Sequence, residues 1–254
     1  MSNITQSSKL RALGVGVGAG LAGILVSLVL VFAVVLGIRF LGIQLSAVAT
    51  ILLALFLNQY VSFGGVAFAY LRIRGLSLDY IGVRIPSLRD LLVVFGGFLA
   101  AFGLVIVASI VIQALGTQTA PNSTAQMAQE TPEILLVLIP ASFLIIGPGE
   151  EILFRGIVQR RLREAFSPAP AIVIAAALFA AIHFLALSGP SAARLNTIAI
   201  LFLPSLVFGV TYEYTDNIVV PALIHGAYDA MLFSLLYIVI TYGPSIEPSA
   251  AVLL

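Results

Sequence analysis

The sequence predicts an all-α, polytopic bundle of transmembrane helices, about seven spans with room for an eighth. Three observations carry that prediction. Hydrophobic residues make up 61% of the 254-residue chain and charged residues only 9%, whereas an ordinary soluble domain carries about 25% charge. Mean hydropathy is +1.14. The apolar residues fall in runs long enough to cross a bilayer, which takes about 20 residues, and most charges lie between the runs. A water-soluble globule is excluded. Cysteine is absent, which removes disulfides, thiolate metal sites and cysteine nucleophiles, so any chemistry falls to carboxylates, imidazoles and hydroxyls.

Taken in order, Met1 to Leu10 is polar and carries Lys9, and Arg11 precedes about 26 mostly apolar residues with no small-residue cleavage site at their end. This run is expected to stay as a first helix and not to be removed as a signal peptide. The spans are read at 12–38, 41–71, 89–115, 134–164, 168–187, 195–214 and 218–241. The second and fourth runs are about 30 residues long, so they tilt, break or extend beyond the bilayer, and a break would supply the eighth segment. No repeat or linker divides the chain, which is read as one membrane domain over residues 1–254.

Basic residues set the orientation. Lys9 and Arg11 precede the first span, Arg72, Arg74, Arg84 and Arg89 separate the second and third, and Arg160, Arg161 and Arg163 end the fourth. All lie on one side if the N-terminus is cytoplasmic, while the other side receives only Arg39 and Arg194. The expected location is the plasma membrane, N-terminus inside. Asn122-Ser123-Thr124 is a glycosylation triplet, of a kind that chance supplies often.

The half before Glu133 is read as nearly free of intramembrane polar groups, which points function to about 134–240. In the fourth run Glu150, Glu151 and Arg155 interrupt an apolar helix, and counting back from Arg160 puts Glu150 about 15 Å inside the boundary. Charges at that depth cost about 2.5–3.5 kcal/mol each on insertion scales. Glu151 and Arg155, four apart, can pair on one face, while Glu150 points about 100° away and needs a contact from another helix. The bland alternative is an interhelical salt bridge. Against it stand the only two histidines, His183 and His225, each inside an apolar span, with Asp229 one turn beyond His225. Tilted helices can bring these levels together.

Amide hydrolysis needs an activated water, a stabilised oxyanion and a proton for the leaving amine. Glu150 suits a general base, His183 a partner that fixes the water, and His225 an oxyanion donor. A zinc centre built on Glu150, His183, His225 and Asp229 is the alternative, although no HExxH helix exists. Ser142, Ser205 and Ser234 lack a Gly-x-Ser-x-Gly context and read as helix-packing hydroxyls.

The ordered set Glu150-Glu151-x-x-Phe154-Arg155-Gly156, Phe179-x-x-x-His183 and His225-x-x-x-Asp229, with Asn217-x-x-x-Pro221 ahead of the last, resembles the CAAX-protease and bacteriocin-processing (CPBP, or Abi) family of intramembrane endopeptidases. The resemblance covers about Ile134 to Ile240. It implies that Glu150 acts on water, that His183 helps hold it, that His225 and the Asp229 position form the oxyanion side, and that Glu151 and Arg155 support the site. It implies a metal-free mechanism in preference to a zinc-dependent one. Asp229 departs from the asparagine of eukaryotic members. An ionised aspartate cannot donate to an oxyanion, so Asp229 is protonated, orients His225 or binds a metal. The expected partners are membrane lipids and a peptide or protein substrate, lipidated in some family members, and not nucleic acid. The competing classes are a proton- or ion-coupled transporter, which inverted repeats would favour and none is found, and a non-catalytic immunity or scaffold protein.

Overall fold

The structure is a computed structural model that describes residues 6–243. The first five residues of the polar N-terminal segment and the C-terminal end, 244–254, lie outside the described part. Among the described residues seven helices are long and apolar enough to cross a membrane: α1 Gln6–Phe40, α2 Ala47–Arg74, α3 Leu88–Ala114, α5 Glu133–Arg163, α6 Pro168–Ala186, α7 Ser191–Thr215 and α8 Val219–Tyr242. An eighth, α4 Ser123–Glu130, is short and polar and lies in the connection between α3 and α5. The bundle is that of an integral multi-pass membrane protein.

The long second run does not break. Its first residues, including Gly42 at φ +69, form the turn after α1, and Ser46 caps α2 by accepting from the Ala49 N–H. Beyond that, α2 is continuous over 28 residues, with one wide-wound π segment at Phe56–Gly64. The fourth run is likewise unbroken and 31 residues long. Other ends follow familiar local chemistry. Ser87 and Asp90 form a capping box at the start of α3, and Pro168 opens α6 where its missing N–H costs nothing. Ser167 stands at the N-cap of α6 without a side-chain capping bond.

α5 occupies the centre, packed against α1, α2, α6, α7 and α8, while α3 closes the outside of α7 and α8. Aromatic rings fill the space between α2, α5 and α6: Phe154 meets Phe63 and Phe179 edge-on at centroid separations of 6.0 and 5.2 Å. α1 approaches this core through small residues. Its buried positions are Ala12, Gly16, Gly20, Gly23 and Ser27, the small-residue stripe by which helices pack closely in lipid. A Cβ on Gly23 would come within 2.5 Å of a Leu153 methyl.

α5 and α7 are fastened at four-residue steps. Arg155 donates to the Ser205 carbonyl and hydroxyl at 3.0 and 2.9 Å, Gln159 to the Gly209 carbonyl at 2.9 Å, and Arg163 to Glu213 at 2.8 Å. At the same end of the bundle Arg160 and Arg84 converge on Asp216, at 2.5 and 2.7 Å, and Arg74 and Arg161 on Glu164. Burial and its bond to Glu164 push the Tyr80 phenol, in the turn between α2 and α3, above its usual range.

Candidate active site

The site is built on an irregular stretch of α5. Pro140 and Pro148 lie within the continuous helix, and the backbone winds as π segments at Ser142–Ile146 and Ile152–Gln159. A proline lacks the N–H that would bond the carbonyl four residues back, and its ring crowds that carbonyl. For Pro148 the carbonyl is that of Leu144, which instead accepts from the Tyr60 hydroxyl of α2. The next residue back on α2, Gln59, reaches the site itself: its Nε2 donates to Glu150 Oε1 at 2.9 Å.

Glycines permit this closeness. A Cβ on Gly149 would lie 2.6 Å from Gln59 Cβ and 2.7 Å from Gln59 Oε1. One on Gly147 would lie 2.6 Å from the Ala222 carbonyl of α8, and one on Gly226 of α8 would meet Phe143 at 2.8 Å. The backbones of α5 and α8 therefore touch where Glu150 and His225 face each other.

Glu151 and Arg155, both fully buried, pair at 3.2 Å as their spacing predicts. The guanidinium lies between two rings, 4.8 Å from the Phe179 centroid and 5.5 Å from that of Phe208, and it bonds Ser205 as above. Glu151 also holds His225, whose Nδ1 is 3.0 Å from Glu151 Oε1. The other imidazole nitrogen faces Asp229 Oδ2 at 3.4 Å and Glu150 Oε2 at 3.9 Å. Phe208 stacks on the imidazole at 4.8 Å and 19°. A carboxylate can only accept, so Glu151 fixes a hydrogen on Nδ1.

His183 stands where α6 tightens into a 3₁₀ turn, His183–Ala186. Its Nδ1 is 2.8 Å from the Phe179 carbonyl. A carbonyl also only accepts, so Nδ1 carries the hydrogen and Nε2 is the nitrogen left for other work. The four-residue spacing of Phe179 and His183 thus has a physical content: the first residue's carbonyl fixes the tautomer of the second.

Of the residues singled out in the sequence, Glu150, Glu151, Arg155, His225 and Asp229 form one connected polar set. His183 has no bond to that set and joins it through a shared cavity of about 930 Å³, which Glu150, His183, His225, Asp229 and Gln59 all line. Among the described residues no group of three or more His, Asp or Glu side chains is placed to hold a metal ion. Both nitrogens of His225 already face carboxylates, and one nitrogen of His183 is taken by backbone.

One expectation needs correction. The first half of the chain is not free of intramembrane polar groups: Gln59, 2% exposed, is part of the site, and Ser62 and Ser109 are buried as well. Asn58-Gln59-Tyr60 in the middle of an apolar run was the signal. A neutral amide stands out less in such a run than a charge does. Ser205, read as a packing hydroxyl, accepts from Arg155.

Residues 132–231 match the family described as type II CAAX prenyl endopeptidase Rce1-like. That stretch contains every site residue except Gln59, and the resemblance read from the motifs is borne out over it. No curated protein and no solved structure matches the chain.

Proposed function

We propose, from the Rce1-like match of residues 132–231, that the protein is an intramembrane endopeptidase that hydrolyses a peptide bond of a membrane-associated peptide or protein with Glu150 as general base. The observation that carries this reading is the convergence of Glu150, His183, His225 and Asp229, from three helices, on one cavity.

In this reading Glu150 takes a proton from water as the oxygen attacks the carbonyl carbon. The C–N bond then breaks, and the same proton passes to the departing amine. His183, tethered at Nδ1, shares the water through Nε2. The Gln59 amide holds the other side of the Glu150 carboxylate and leaves Oε2 facing His225. His225 donates to the oxyanion from the nitrogen nearest Glu150, and Asp229 and Glu151 orient the ring and balance its charge. Of the three roles open to Asp229, the 3.4 Å contact with His225 favours orientation. A metal-free mechanism is preferred, because both nitrogens of His225 face carboxylates and only Nε2 of His183 is left open. The protein lies in the plasma membrane with the Lys9 end inside.

The test is cleavage by the purified protein in lipid nanodiscs, with and without a strong chelator, beside Glu150→Ala and His183→Ala. General-base loss lowers rates by about 10²–10⁴, and each variant should fall in that range. Full activity in both would sink the mechanism. Loss on chelation, restored by zinc, would overturn its metal-free form.

A further inference from the structure

Pro140 and Pro148 of α5 and Pro204 of α7 lie beyond the first turn of their helices. Each removes the N–H that the carbonyl four residues back would have received. The three carbonyls are provided for differently. That of Leu144, opposite Pro148, accepts from the Tyr60 hydroxyl of α2. That of Leu136, opposite Pro140, belongs to a residue 47% exposed in the first turn of α5. The Ile200 carbonyl, opposite Pro204, has neither provision. Ile200 is 7% exposed and stands well inside α7. The two hydroxyls near it on the same helix are committed elsewhere, Thr197 to Ala120 and Ala193 and Ser205 to Arg155, and among the described residues no other side chain donates to it.

Side chains four apart share a helix face, and the carbonyl of the first lies between them. Ile200, Pro204 and Phe208 all line the cavity that holds Glu150 and His225, so the Ile200 carbonyl belongs to its wall. At membrane depth, backbone without its helical bond is tolerated where it is buried in protein or lines a cavity. A carbonyl only accepts, so what it takes is a donor. Phe208 marks the level of the catalytic groups, because its ring stacks on the His225 imidazole. Eight residues of helix set Ile200 about 12 Å from that level, and its carbonyl points back along the axis to within about 10 Å. The direction is towards the polar rim of the cavity, where Thr117 and Asn122 stand. An extended peptide covers about 10 Å in three residues.

We infer that the Ile200 carbonyl is a subsite for substrate backbone: resting on the protease reading above, it accepts the main-chain N–H of a residue about three positions from the scissile bond, and Pro204 keeps it open. Main-chain bonding of this kind gives affinity without reading side chains. Selectivity at that position is for an available N–H, and a proline there, which has none, is disfavoured. The anchor is separate from Glu150, His183 and His225, and it acts on binding and not on the chemical step.

The experiment uses the full-length protein in nanodiscs and a pool of apolar peptides of about twelve randomised residues. The fastest-cut sequence is found by mass spectrometry, with Glu150→Gln as the blank, and is resynthesised with one N-methylated amide at a time. In the wild type one position, about three residues from the cut, should lose about three- to tenfold in kcat/KM on N-methylation, the worth of one hydrogen bond. Proline placed at that position should cost about as much. Pro204→Ala returns an N–H to the helix and closes the bond to Ile200. KM for the unmodified peptide should then rise about three- to tenfold with kcat held within about twofold, and the N-methyl penalty at that position should disappear. The wild-type scan decides without the variant, should Pro204→Ala not fold: no sensitive position away from the cut bond overturns the inference. An equal N-methyl penalty in wild type and Pro204→Ala, or an unchanged KM in the variant, overturns it as well, and all of these leave the protease standing. No Glu150-dependent cutting of any peptide removes the protease reading and the inference together.

Discussion

α1 and α5 are both long apolar helices, yet only 6% of the most apolar window of α1 is buried against 50% of that of α5. The first meets its neighbours along a stripe of glycines and otherwise faces outward, with Phe32 at 70% and Val29 at 68% exposure. The second carries two prolines, π turns, a buried ion pair and the proposed base, and five other spans surround it. The difference teaches that in a membrane helix apolarity says where the lipid is, not where the core is. The centre is marked by the residues that lipid would reject.

That contrast can be broken first at Arg155. Arg155→Leu leaves Glu151 buried without its cation, and stability should fall by about 3–5 kcal/mol, measured as the thermal unfolding midpoint in detergent. An unchanged midpoint would mean that the pair is not a structural part of the centre. Gln59→Leu should act on rate more than on stability. Removing one hydrogen bond to a charged group costs about 1.5–3 kcal/mol, so a drop in kcat of roughly tenfold or more is expected, with KM held within about threefold if the amide only positions Glu150. A rise in KM with kcat unchanged would show that Gln59 binds substrate instead. The smallest effect belongs to α1. Phe32→Ala, on the exposed face, should change the unfolding midpoint by the equivalent of less than about 0.5 kcal/mol, and a larger loss would reveal a partner on that face.

The spans were legible because seven runs exceeded the thickness of a bilayer, and Glu150, Glu151, Arg155 and the histidines because each is costly in lipid. Pairing of Glu151 with Arg155 followed from helical spacing alone. Three things did not show. Gln59 carries no charge and lies on a helix that otherwise reads as lipid-facing. The windings around Pro148 depend on Tyr60, a long-range partner that no local pattern encodes. Asn122, noted only as part of a glycosylation triplet, in the structure caps α4 through the Ala125 N–H at 2.7 Å and pairs as an isolated bridge with Leu187, holding the rim of the cavity.

The steps that join Arg155 to Ser205, Gln159 to Gly209 and Arg163 to Glu213 have a consequence for motion. A common way for packed helices to change state is to slip past one another by one turn, about 5.4 Å. Such a slip here would set Arg155 opposite Leu201 or Gly209, and Gln159 opposite Ser205 or Glu213, so every rung would be mismatched at once. α5 and α7 thus act as a keyed pair that holds one position.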